Sequence, residues 1–351
     1  MKLYYPSEFF FNNSRGDVFP LLKAFIKPST FSDKNRVKMY GISENDFTFT
    51  SKLDEADVLI LPMSWNYYRK HKLYNSVKIF VLRHSKLKIL SWTSGDFGVE
   101  IFSSNNLYVI RSSGYKTKLS NNHLGKPVFI SDPLKIHYST KLLLPVQFNK
   151  TPIIGFCGQS NYGIFTFIKE CSRVTIRNIL TLIGLSFDSP QEILSSSFLR
   201  SSILKKIRKS GFIKNNFIER KKYRAGLAKV DELNISKTTM EFFNNIKDSH
   251  YVICCRGGGN FSARLYETIA MGRIPVFINT DCLLPYGDEW KKHVVWIEKN
   301  ELKFLEKSIL DFHKKFDKNS FNKYIENNRR FWLEKMTMKT YFKCILKRIN
   351  K

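Results

Sequence analysis

Residues 251–290, YVICCRGGGNFSARLYETIAMGRIPVFINTDCLLPYGDEW, decide how the chain is read. Residues 251–255 form an uninterrupted apolar run closed by a basic, glycine-rich string, the pattern of a buried strand. Arg256-Gly257-Gly258-Gly259 then lets the backbone turn and leaves room for a ligand. Ser262 stands where it can cap a helix with an apolar stripe of Leu265, Ile269 and Ala270; Gly272 ends that helix, and residues 274–278 read as a second buried strand. The spacing predicts a strand-loop-helix-strand unit. Its helix N-terminus, cleared by glycine and flanked by Arg256 and Arg264, offers N–H groups and positive charge to an anion such as a diphosphate. The alternative is a plain turn, because glycines between strand and helix often serve the turn alone. The string is neither G-x-G-x-x-G nor G-x-x-x-x-G-K-[ST], so spacing names no nucleotide.

Outward from this unit, 351 residues with 43% hydrophobic content are enough for two cored domains. Toward the N-terminus the pattern predicts strands at 2–5, 58–61 (stopped by Pro62), 78–82, 88–92, 127–130 and 153–157, with helices at 166–182 and 239–246. A last strand is predicted at 294–297, and helical spacing covers 301–316 and 320–349. Strands alternating with helices in both halves argue for an α/β fold with parallel sheets and a cleft between two domains. The loosened pattern around Pro145 and Gln147 to Lys150 puts the junction there, giving domains at 1–148 and 149–330.

Residues at the ends of such strands face the cleft in open α/β sheets. That places Met63 to Tyr68, an aromatic-polar cluster able to stack a sugar ring or simply to pack, on the cleft edge. Asp96, delivered by the strand at 88–92, reaches the same cleft edge and is a candidate functional carboxylate. Its alternative is an Asx turn bracketed by glycines.

Lys and Arg number 58 against 30 Asp and Glu, a formal charge of +28, which favours polyanions. The densest basic segment, 200–229, alternates charge with Ile, Leu and Phe. It reads either as an amphipathic element resting on anionic lipid or as a solvated face. Nucleic acid is a third partner class, but no zinc-finger, homeodomain or RNP1-like string accompanies the charge. No apolar run reaches about 18 residues and the N-terminus lacks a signal-peptide pattern. Six cysteines without C-x-x-C spacing read as reduced, buried thiols. The expectation is a cytoplasmic protein, with peripheral attachment to the inner membrane face through 200–229.

Arg256-Gly257, Ser262-x-Arg264-x-x-Glu267, Gly272-x-x-Pro275-Val276 and Leu284-Pro285-Tyr286 together resemble the C-terminal signature of the exostosin-like family, glycosyltransferase family 47. Weaker echoes run through Ala56-Asp57-Val58 to Pro62, Ser94-Gly95-Asp96, Gly155-Phe156-Cys157-Gly158 and Arg220-x-x-Tyr223-Arg224-x-Gly226. The family commonly has Pro before the Arg, where this chain has Cys255. The resemblance implies a GT-B fold, two Rossmann-like domains facing each other across a cleft, with a C-terminal helix at 331–351 crossing back to the first. It implies an inverting glycosyltransferase that uses a nucleotide sugar, usually a UDP-sugar, as co-substrate and a glycan such as a surface polysaccharide as acceptor.

That reaction must hold a diphosphate, stabilise its growing charge and deprotonate an acceptor hydroxyl. Arg256, Gly257, Gly258, Ser262, Arg264 and Glu267 are the expected donor-binding residues, with Arg264 and Asp96 catalytic. The chain has no D-x-D triplet, the usual metal ligand set of GT-A enzymes, so the two arginines and the helix end are expected to neutralise the diphosphate without a metal. Glu267 is placed to accept from ribose hydroxyls, or else to pair with Arg264 or Arg273. A non-catalytic nucleotide- or polyanion-binding protein is the rival class. It keeps the basic surface and has no need of the Ser-Arg-Glu helix.

Overall fold

The computed structural model describes residues 1–25, 33–160, 163–221 and 232–350. The first half contains β1 (Lys2–Tyr4), α1 (Asp33–Tyr40), β2 (Thr48–Phe49), β3 (Val58–Ile60), α2 (Trp65–Lys70), α3 (Tyr74–Arg83), β4 (Lys88–Trp92), β5 (Leu107–Arg111), β6 (His123–Gly125) and α4 (Pro133–Tyr138). Its strands form one parallel sheet, ordered β2-β1-β3-β4-β5-β6. The second half contains β7 (Ile153–Gln159), α5 (Ile164–Leu182), α6 (Ser196–Arg208), β8 (Lys214–Arg220), α7 (Glu232–Lys247), β9 (Tyr251–Cys254), α8 (Ala263–Ala270), β10 (Ile274–Asn279), β11 (Val295–Glu298), α9 (Leu305–His313), α10 (Lys318–Phe331) and α11 (Met338–Ile349). A second parallel sheet runs β11-β10-β9-β7-β8.

Parallel strands need crossover connections, and the helices supply them while covering the sheet faces. The second sheet has a core on each side, and neighbouring Cys254 and Cys255 fall in opposite ones, as strand alternation requires. All six thiols are free. Two Rossmann-like sheets facing across a cleft, closed by C-terminal helices, make this a GT-B fold.

The chain passes from one domain to the other after β6. Phe129 packs against the first core and Leu134 belongs to the second; Leu143, Val146 and Phe148, all before the junction expected at 148–149, also lie against the second domain. Asp132 caps α4 and pairs in a buried site with Arg329 of α10 at 2.6 Å. Past α10 the chain returns, and Met338, Tyr341, Phe342, Ile345, Leu346 and Ile349 of α11 complete the first core. The Tyr341 hydroxyl donates to the Gly125 carbonyl at 2.7 Å.

Several local expectations are corrected. Residues 78–82 lie in α3, whose buried face is Val77 and Val81, one helical turn apart. Residues 127–130 form no strand and carry the crossing to the second domain. The helical pattern of 320–349 is broken by a π-turn, Trp332–Met336, and restarted by Thr337, which caps α11. Met63, Trp65 and Tyr68 are fully buried, and the Trp65 indole donates to Ser91, so this cluster packs the first core rather than a sugar. In the basic segment Ile203, Leu204 and Ile207 face the second core from α6 while Lys205, Lys206, Arg208 and Lys209 are exposed, and residues 214–220 form the edge strand β8. Residues 222–229 of that segment, with Tyr223, Arg224 and Gly226, lie outside the described residues, as do Asn161 and Tyr162. Among the described residues no helix is long and apolar enough to cross a membrane.

Candidate active site

An interdomain cleft of about 1090 Å³ opens at the C-terminal ends of β7 and β9. Asp96, Gly257, Gly258, Ser262, Arg264 and Glu267 all line it, so six of the seven expected site residues meet there. Arg256 does not line it. Its buried guanidinium donates to the Tyr115 hydroxyl of the first domain at 3.0 Å and to the Gly258 carbonyl at 3.3 Å. A partner reached across the domain contact has pulled it off the cleft.

The glycine loop divides its work. A side chain at Gly258 would meet nothing within 4 Å, and one at Gly257 only the Phe261 carbonyl at 3.9 Å, so these two leave open space beside the helix end. Gly259 instead makes contact: a Cβ there would lie 2.1 Å from the Asp96 carbonyl oxygen. The next residue, Asn260, is fully buried and joins the domains. Its backbone N–H donates to Ser113 Oγ at 2.9 Å, and its amide donates to the carbonyls of Gly114, Thr280 and Asp281. Sequence gave no signal for Asn260, because its partners are 20 or more residues away.

Ser262 occupies the N-cap position of α8 with extended backbone, but its side chain makes no cap hydrogen bond. Ser262 lines the cleft, and among the described residues no side chain takes the N–H groups of the first turn. The helix end is therefore open to the cleft.

Arg264 lies back over the sheet edge. Its Nη2 donates to the Cys157 carbonyl at 2.7 Å, and its guanidinium sits 4.4 Å from the centre of the Phe156 ring. This position depends on Gly158, where a Cβ would come within 2.6 Å of Nη2. Glu267 forms no ion pair with Arg264 or Arg273, and makes no hydrogen bond among the described residues; Arg273 is instead spent on the Lys247, Met271 and Leu144 carbonyls. Burial pushes the Glu267 carboxyl up to about 7, with the charge of Arg264 opposing the rise.

Further charges complete the wall. Arg173, Arg177, Arg200 and Arg220 line the cleft; Glu170 opposes them, but its oxygens are engaged by Ser195 and by the hydroxyl and N–H of Ser197. Arg177 stacks on Phe97 of the first domain, 3.6 Å from its centre. Asp96 is exposed beside it, between Gly95 and Phe97, and its carboxylate makes no hydrogen bond among the described residues, so it forms no Asx turn.

No protein-family model and no curated protein sequence matches the chain. Among solved structures, TarM of S. aureus is similar at 11% identity and a TM-score of 0.35, over 84% of this chain and 55% of TarM. An α1,3-fucosyltransferase gives 11% identity and 0.34 over 99% of this chain and 89% of that one. A glycosyltransferase of Rickettsia africae gives 11% and 0.32, over 85% and 78%. The chain thus spans about 55% of the length of TarM.

Proposed function

We propose that the chain is a glycosyltransferase that binds a nucleoside diphosphate sugar in the interdomain cleft and transfers the sugar, with inversion, to a hydroxyl of a glycan acceptor. The observation that carries this reading is the N-terminus of α8, where Ser262 makes no cap hydrogen bond, open at Gly257 and Gly258, with Arg264 and a Glu267 that has no hydrogen-bond partner among the described residues in the same cleft. The diphosphate meets the helix N–H groups, the Ser262 hydroxyl and Arg264, which together carry its charge without a metal. Glu267, one turn further along, accepts from the ribose hydroxyls. Asp96 approaches from the opposite domain and takes the acceptor proton as the acceptor oxygen attacks the anomeric carbon and the bond to the diphosphate breaks.

The resemblance to the exostosin-like family supports a UDP-sugar donor and a polysaccharide acceptor. The test is a panel of nucleotide sugars incubated with the protein in EDTA, reading release of free nucleotide. One donor turned over under chelation supports the reading. Binding without turnover of any donor points to a non-catalytic nucleotide-binding module, and activity restored only by manganese removes the metal-free mechanism.

A further inference from the structure

We infer that a second cavity, continuous with the donor cleft at Asp96 and Phe261, is the acceptor subsite and that it selects an acceptor bearing an oxyanion, phosphate or carboxylate, beside the hydroxyl that is glycosylated. The word acceptor rests on the function proposed above; the anion preference rests on the cavity alone.

The cavity lies in the first domain, holds about 620 Å³, and shares Asp96 and Phe261 with the donor cleft. That volume suits a sugar with its substituent. Four cationic side chains, Arg15, Lys23, Arg36 and Lys126, reach into it from separate segments, and Asp96 at the shared rim is its one lining carboxylate among the described residues. Two aromatic walls flank the lysines: Lys23 Nζ lies 5.4 Å from the centre of Trp92 and Lys126 Nζ 5.0 Å from that of Phe129.

Among the described residues the Lys126 charge has no acid paired with it, and Lys23 is offset only through Asp17. The Lys126 ammonium donates to the Pro127 carbonyl at 3.3 Å and has no acidic partner among the described residues. Lys23 donates to the Gly16 carbonyl, also at 3.3 Å. Asp17 is the acid that offsets Lys23, but its oxygens already accept from Ser14, Ser64 and Ser94. Burial, together with repulsion from Lys23, brings the Lys126 ammonium down to about 8. The two lysines therefore stand together in a half-buried space, where burial and the charge of Lys23 both work against the Lys126 ammonium. An oxyanion between them relieves that repulsion. A pocket for a neutral sugar gains nothing from holding two ammonium groups together, since rings and hydroxyls are recognised by aromatic faces and neutral hydrogen-bonding groups.

Calorimetry on the full chain at fixed ionic strength, with UDP as donor probe and glucose 1-phosphate, glucuronate and glucose as acceptor probes, tests this in a crossed design. Wild type should bind at least one charged probe ten times or more tighter than glucose. Combined Lys23→Gln and Lys126→Gln should lose that advantage and keep UDP binding, whereas Arg264→Ala should weaken UDP binding about tenfold or more and keep the charged probe. Preference for glucose 1-phosphate assigns a phosphate-bearing acceptor, and preference for glucuronate a uronate. Lys126→Met should melt no lower than wild type in the absence of anion, because it breaks no ion pair. Equal binding of charged and neutral probes overturns the inference. So does charged-probe affinity unchanged in the double variant, or lost in Arg264→Ala. If UDP does not bind wild type while the lysine-dependent probe binding stands, the donor reading fails and the oxyanion pocket survives.

Discussion

Replacing Glu267 with Gln should stabilise the protein and weaken its grip on nucleotide. The carboxyl sits in the cleft wall without a hydrogen bond among the described residues, and burial raises it from 4.5 to about 7 against the pull of Arg264. An unfolded chain releases this proton near 4.5, whereas the folded chain keeps it until about 7. Between those values the folded state holds more protons, so its stability falls as pH rises and levels off above 7. A gap of about 2.5 units at ~1.36 kcal/mol each puts the loss at about 3 kcal/mol. Glu267→Gln has no such proton to lose. Urea unfolding should show the variant matching wild type at pH 4.5 and exceeding it by up to about 3 kcal/mol at pH 8. In calorimetry at pH 8 the variant should bind UDP roughly tenfold or more weakly, the loss of a charge-assisted hydrogen bond of about 1.5–3 kcal/mol. A stability difference that does not change with pH would refute the burial argument, and unchanged UDP affinity would refute the ribose contact.

Arg264→Ala should lower turnover by more than it lowers UDP affinity, because charge grows on the leaving diphosphate; the contact is worth about 1.5–3 kcal/mol, roughly 10- to 150-fold. Retained turnover with a lowered melting temperature would leave Arg264 only a structural role, in its contacts with the Cys157 carbonyl and the Phe156 ring. Asp96→Asn should reduce turnover about 10²- to 10⁴-fold with UDP affinity intact, and a full-rate variant would move the base elsewhere. Gly259→Ala and Gly258→Ala form a matched pair. The first must displace the Asp96 backbone and should cost about 1–3 kcal/mol in unfolding, whereas the second projects into open cleft and should weaken UDP while leaving the melting curve alone. Equal effects on stability would show that the two glycines do not divide the loop as described.

The strand-loop-helix-strand unit was legible because its signals are local. Apolar runs stand on both sides of α8, and Gly272, at φ +67°, ends the helix where a left-handed residue is needed. Errors arose where a short apolar run suits two periods: Ile79 to Leu82 is an unbroken apolar run like a buried strand, yet Val77 and Val81 one turn apart are what the core takes. The strand β8 was missed because an edge strand half in solvent needs few apolar residues. At the site, residue types close in sequence to the glycine loop were readable, and contacts between domains were not. Nothing near Arg256 announces Tyr115, and nothing near Asn260 announces Gly114. In the basic segment alternating Lys and Ile marked a two-faced helix but not what its apolar side meets, and in α6 that side packs on the second core.

The return of α11 to the first domain sets an order of events during synthesis. The six strands of the first sheet are all translated once residue 125 is reached, yet the helix that closes its core spans residues 338–349. At about 5–20 residues per second, the nascent chain carries that unfinished apolar surface for on the order of ten to forty seconds while the second domain is made. Over that interval it is open to chaperones, proteases and neighbouring chains. A frameshift or early stop just before Met338 would then spare the loop and helix around Arg264 and still leave the opposite domain without its closing layer, a partial product more prone to aggregate than to act.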